Sequence, residues 1–138
     1  MTTDLLERVE DGVAVLTMNR PDSLNALSGA MLDAMLEALP RLASDTSVGC
    51  VVLTGAGRGF CAGGDVKAMA QGTEFADNTL EGKAQALRGK METSRLLHEM
   101  AKPTIAMVRG PVAGAGMSLA LACDMRIASD SLKFTTAF

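Results

Sequence analysis

Val48-Gly49-Cys50-Val51-Val52-Leu53-Thr54 runs without a break into Gly55-Ala56-Gly57-Arg58-Gly59 and then into Phe60-Cys61-Ala62-Gly63-Gly64-Asp65-Val66-Lys67. Val48 to Thr54 is apolar and β-branched, and reads as a buried strand. The stretch after it holds too many glycines for regular structure. A strand that empties into small residues lets backbone amides approach a ligand, because no Cβ stands in the way. The joint recurs downstream. Thr104 to Val108 reads as a strand, Gly110-Pro111 turns the chain, and Gly114-Ala115-Gly116 opens a small-residue helix through Leu119 and Ala120. The first N–H groups of a helix have no intrahelical partner, and its dipole favours negative charge there.

Outward from these joints, Val13 to Met18 is another short strand, after the turn signal Asp11-Gly12. Asn19-Arg20-Pro21-Asp22-Ser23 breaks it with loop chemistry. Ser28 is a helix N-cap, and Met31, Leu32, Met35, Leu36 and Leu39 follow at helical spacing. Pro40 is expected to kink or end that helix early. Asp77 or Asn78 is expected to cap a long helix reaching about Met100. Its apolar face is Leu80, Ala84, Leu87, Met91, Leu97 and Ala101, with Ser94 as an interruption. Lys102-Pro103 stops it. Met125 to Ala128 and Leu132 to Phe134 are further short strands. The order βαβαβαβ predicts an α/β chain with parallel strands joined by helical crossovers. With no internal repeat and no linker, residues 1–138 read as one domain.

Composition narrows the function classes. A hydrophobic fraction of 48% with 21% charged residues excludes a disordered chain. A net charge of −3, no basic stripe and 3% aromatic residues argue against nucleic acid as a partner. Met1-Thr2-Thr3-Asp4 lacks the basic and apolar regions of a signal peptide. The longest apolar run, Val112 to Cys123, is shorter than the roughly 20 residues that span a bilayer. The expectation is a cytoplasmic protein with no membrane contact. Cys50, Cys61 and Cys123 fit no zinc spacing, and His98 stands alone, so the expectation is buried thiols in a reducing compartment and no metal.

Two convergent N–H donors are what an oxyanion hole needs. Such amides stabilise the charge on a developing enolate or tetrahedral oxygen by roughly 3–4 kcal/mol per donor. Neither glycine segment ends in the Lys-Ser/Thr of a phosphate loop, and neither sits in a dinucleotide-binding context. Taken singly, a glycine-rich segment is more often a tight turn or a close helix contact.

Phe60-Cys61-Ala62-Gly63-Gly64-Asp65-Val66-Lys67 resembles the first signature of the enoyl-CoA hydratase/isomerase (crotonase) superfamily. Asn19-Arg20-Pro21 with Leu24-Asn25-Ala26-Leu27-Ser28 resembles its N-terminal element. Lys102-Pro103-Thr104-Ile105-Ala106 and Gly110-Pro111-Val112-Ala113-Gly114-Ala115-Gly116, continued by Leu119 to Asp124, resemble its second oxyanion segment. The resemblance implies a crotonase-like ββα spiral, here the N-terminal part of the family domain and incomplete at the C-terminus, assembled as a homo-trimer or hexamer. It implies acyl-CoA thioester chemistry with no cofactor besides the CoA that arrives in the substrate. It places the oxyanion hole at the N–H groups of Gly64 and Ala115. Asn25, Ala26 and Leu27, with Gly63, Asp65, Val66 and Lys67, would line the CoA site. Lys67 and Arg20 would be phosphate or ribose contacts, and residues 69–87 would shape the acyl pocket.

Two departures bear on the reaction. Hydratases of this family carry a glutamate where Ser118 stands, and hydration needs one group for water and another for the α-proton. The run Gly114 to Leu121 is similar to isomerase members, especially the epoxide phenylacetyl-CoA isomerase type, so isomerisation is expected over hydration. The chain also stops at Lys133-Phe134-Thr135-Thr136-Ala137-Phe138, and the family's second acid/base would fall past Phe138. Asp65 and Asp124 are the substitutes at hand. Two rival readings remain: a serine hydrolase using Ser118 and His98, and a non-catalytic assembly module with Met31, Met35, Met91 and Met100 as an adaptable face.

Overall fold

The computed structural model describes residues 2–72 and 79–137. Strand β1 (Leu5–Glu10) and β2 (Val13–Met18) form an antiparallel hairpin pairing Leu5 with Met18 and Glu10 with Val13. Asp11 and Gly12 make the two-residue turn with φ of 50° and 78°, the left-handed values a tight hairpin requires. Strand β1 is an addition to the sequence reading. Five of its six residues are exposed and three are charged, so it shows no buried alternation, as suits a sheet edge.

Helix α1 (Gly29–Ser44) starts at Ser28, whose hydroxyl accepts from the Met31 N–H at 3.1 Å. Pro40 does not end it. The ring costs roughly 3 kcal/mol in a helix interior, yet the helix continues because Leu39 and Leu42 on either side of it are buried. Full burial of such side chains is worth about 1.5–3 kcal/mol each, and Pro40 itself faces solvent. Strand β3 (Cys50–Gly55) follows, then a six-residue helix α2 (Val66–Gln71) that the glycine reading did not anticipate.

Helix α3 (Leu80–Glu99) is capped by Thr79, whose hydroxyl accepts from the Gly82 N–H at 3.0 Å. Asp77 and Asn78, the expected caps, lie outside the described residues. The expected apolar face is also corrected. Leu97 is buried, but Leu80, Leu87 and Met91 are 87%, 51% and 64% exposed. Strand β4 (Thr104–Val108), the short β5 (Pro111–Ala113), helix α4 (Ala115–Ala122), β6 (Met125–Ala128) and β7 (Lys133–Thr135) complete the order.

The main sheet runs β1-β2-β3-β4-β6, with every pair after the first parallel, and β5 pairs with β7 in a second, parallel sheet. The chain twice runs strand, strand, helix (β1-β2-α1 and β4-β5-α4), the expected ββα order, although β1 pairs with β2 while β5 leaves the main sheet to pair with β7, and the fold is α/β. The core joins Leu16, Met18 and Leu53 of the sheet to Met31 and Met35 of α1 and Leu119 of α4. Met31 and Met35 therefore belong to the core, and the methionines do not form one exposed face. No helix among the described residues is long and apolar enough to cross a membrane.

Candidate active site

Three segments leave the carboxyl ends of the adjacent parallel strands β2, β3 and β4 and converge, which is where open parallel sheets place ligands. The first is the loop after Met18. Leu24 and Asn25 both take left-handed backbone, with φ of 49° and 55°. Asn25 has no exposed area. Its Oδ1 accepts from the Arg20 N–H at 2.8 Å, and its Nδ2 donates to the carbonyls of Ala56 and Gly59 at 2.8 and 2.9 Å. Asn25 thus stands behind the stretch that the resemblance placed along the CoA site, tying it to the glycine loop.

The second segment carries Gly63 and Gly64. The Leu27 N–H donates to the Gly63 carbonyl at 2.9 Å, and Leu27 bridges Gly64 as a parallel strand would. Asp65 then caps α2, its Oδ1 accepting from the N–H groups of Lys67 and Ala68 at 3.2 Å each. Its other oxygen accepts from Arg20 Nη1 at 2.9 Å, and the same nitrogen donates to the Ala26 carbonyl at 2.7 Å. The Ala68 amide, then the Arg20 guanidinium, hold the Asp65 carboxyl below the usual carboxylate range. Asp65 and Arg20 are therefore spent on fixing the loop. Val66 and Lys67 are exposed and do not line the pocket described below.

The third segment is β5 and the start of α4. Ala113 N–H donates to the Cys61 carbonyl at 3.0 Å, tying β5 to the second segment. Gly114 turns the chain at φ 50° and ψ −121°, a conformation that side chains resist. The approach of the two segments is close enough to explain two more glycines. A Cβ on Gly116 would meet the Cys61 carbonyl oxygen at 2.4 Å. One on Gly63, where φ is 107°, would lie 3.0 Å from the Ala113 carbonyl oxygen and 3.6 Å from the Ala115 nitrogen.

Gly64 and Ala115 consequently line the same pocket, a cavity of about 190 Å³. Neither of their N–H groups has a hydrogen-bond partner among the described residues. Leu27, Leu32 and Leu119 supply apolar wall, and Met69 and Leu87 lie on it as well; residues 73–78 of the expected acyl-pocket stretch lie outside the described residues. Leu87 was expected there, but the sequence reading missed the rest of what α3 contributes: Lys90, Met91 and Ser94 also line the pocket, and their spacing of three, four and seven residues from Leu87 puts all four on one face. The interruption at Ser94 was the visible signal.

Lys90 is the one charged side chain among the described lining residues, and no carboxylate is among them. Asp124 is committed elsewhere: its Oδ2 accepts from the Thr104 N–H at 2.8 Å and the Thr104 hydroxyl at 3.0 Å. Those contacts lower its pKa, so it is a poor proton acceptor near neutrality. Ser118 does line the pocket, but it sits inside α4 with its hydroxyl 3.4 Å from the Gly114 carbonyl. His98 does not line it, and a nucleophile elbow would need Ser118 at the strand-to-helix turn. Cys61 and Cys123 are buried, and desolvation pushes both thiols up to about 11; Cys50 is half-buried. Among the described residues no group of three His, Cys, Asp or Glu side chains could hold a metal ion.

The fold is an α/β sheet whose glycine-rich strand exits gather the Gly64 and Ala115 amides, both without partners among the described residues, at one pocket. The family model for enoyl-CoA hydratase/isomerase matches residues 8–138, and the chain belongs to that family. It is 41% identical over 139 residues to 1,2-epoxyphenylacetyl-CoA isomerase of Escherichia coli (strain K12), covering 97% of this chain and 50% of that protein. It is 39% identical over 129 residues to 4-chlorobenzoyl coenzyme A dehalogenase-1 of Arthrobacter sp, covering 93% and 46%. The crystal structure of an enoyl-CoA hydratase/isomerase from Xanthobacter autotrophicus Py2 superposes with a TM-score of 0.89 at 35% identity, covering 97% of this chain and 49% of that one. The chain spans about half the length of the curated relatives it matches.

Proposed function

We propose that this site binds an acyl-CoA thioester and stabilises its enolate, with the carbonyl oxygen received by the N–H groups of Gly64 and Ala115. The observation that carries this reading is the pair of amides, both without partners among the described residues, lining one pocket. Removing an α-proton leaves an electron pair that moves onto the thioester oxygen, and two fixed donors at that oxygen lower the barrier. The names of two relatives specify CoA esters, which supports the substrate class. CoA enters as part of the substrate, and the reading requires no other cofactor. It also keeps a cytoplasmic location and a homo-trimeric or hexameric assembly as proposals, the latter open to sedimentation.

Isomerisation is favoured over hydration. Hydration needs two acid/base groups, and Ser118 stands where the resemblance to hydratases calls for the first of them. Moving a proton between two carbons of an enolate needs only one. Since Asp65 and Asp124 are occupied by structural hydrogen bonds, we place that group outside the described residues. The test is α-proton exchange: the protein is mixed with butyryl-CoA in deuterated water and the α-position is followed by NMR. Exchange is the expected result. Binding without exchange would mean an oxyanion hole without a base in the sample, and would overturn enolate formation by it. Neither binding nor exchange would overturn the proposal and favour an assembly module.

A further inference from the structure

Two serines line the same pocket from different helices, Ser94 of α3 and Ser118 of α4. The wall around them is otherwise largely apolar, with Leu27, Leu32 and Leu119. Their hydrogen-bonding capacity is not used up inside the protein. The Ser94 hydroxyl makes no hydrogen bond to any described residue, and Ser118 reaches only the Gly114 carbonyl at 3.4 Å, near the outer limit for such a bond. Thr93 differs: its hydroxyl donates to the Lys90 carbonyl at 2.9 Å and is engaged. Ser118 lies three residues after Ala115, which is one turn and about 4.5 Å along the helix axis. A thioester oxygen held at the Ala115 amide would therefore lie about one helical turn from Ser118, in the pocket that both residues line.

We propose that Ser94 and Ser118 form a specificity-determining pair that selects acyl groups bearing an oxygen close to the thioester over unsubstituted acyl chains. This deepens the acyl-CoA reading and rests on it. An unsubstituted chain would displace water from two hydroxyls and offer nothing in return, whereas a substrate hydroxyl or carbonyl would satisfy them. Each such hydrogen bond is worth up to about 10-fold in affinity.

The test compares 3-hydroxybutyryl-CoA with butyryl-CoA by calorimetric titration, on the wild-type protein and on a protein carrying both Ser94→Ala and Ser118→Ala. The readout is the ratio of the two Kd values, so any general loss of folded protein cancels. The expected result is a wild-type preference of about 10-fold or more for the hydroxylated ester, falling to near unity in the double variant. Equal wild-type affinities, or a preference that survives both substitutions, would overturn this inference and leave the acyl-CoA reading standing. If neither ester binds the wild-type protein, both fall.

Discussion

Ala115→Pro removes one hydrogen atom of interest and little else. Ala115 is the first residue of α4, where proline is tolerated because the N–H has no intrahelical partner. The residue before a proline normally loses conformational freedom. Gly114, lacking a Cβ, has mirror-symmetric sterics, so its ψ of −121° is as open before proline as +121° would be. The fold should lose less than about 1 kcal/mol, read from a urea midpoint. Loss of one oxyanion donor costs about 10²–10³ in rate, and the ring carbon that replaces the hydrogen displaces the oxygen further. Two measurements check this. With a carbonyl-labelled butyryl-CoA, the downfield 13C shift on binding reports polarisation by the two amides and needs no catalytic base. It should shrink in the proline variant and persist in Ala115→Gly, which keeps the N–H. The α-proton exchange rate should fall by about 10²-fold or more in the first and by only a few-fold in the second. A folded proline variant with the wild-type carbonyl shift and exchange rate would refute the placement of the oxyanion at Ala115.

Asn25→Asp should destabilise the protein by about 3 kcal/mol or more in urea denaturation, because a carboxylate would face the buried carbonyls of Ala56 and Gly59 in place of a donor. Asp65→Asn keeps a good helix cap but loses the ion pair with Arg20, and should cost up to about 1 kcal/mol near neutral pH. Because the folded-state pKa of Asp65 is lowered, its contribution is present above about pH 4 and is lost as pH falls through the folded value, so the gap between wild type and variant should close in acid. Titration with a disulfide reagent at pH 8 should modify Cys50 first, with Cys61 and Cys123 slow until denaturant is added, since burial raises both of their thiols.

Each glycine joint alone reads as a tight turn or a close helix contact; the recurrence of the joint and the resemblance made the pair legible, and the structure brings Gly64 and Ala115 to one pocket. Other parts were hidden for physical reasons. Strand β1 is an edge with charged residues on it, so only the Asp11-Gly12 turn betrayed it. The resemblance placed Asn25 along the CoA site, and the structure buries it completely. Its inward role depends on carbonyls 31 and 34 residues away, which no local pattern encodes.

The sharper contrast is between α1 and α3, which share a helical period and meet different fates. In α1 the apolar stripe Met31, Met35, Leu39 and Leu42 is buried throughout. In α3 Leu87 and Met91 have the same spacing, yet each is more than half exposed and lines the pocket. A period reports which residues share a face; it carries no information on what covers that face. The stripes do differ in one respect that sequence displays. The α3 stripe is broken by Lys90 and Ser94, and both breaks open onto the pocket. A polar residue within an apolar stripe would be costly against a closed core. Its presence marks the part of a helix that faces a cavity, which is why Ser94 carried more information as an interruption than the leucines around it.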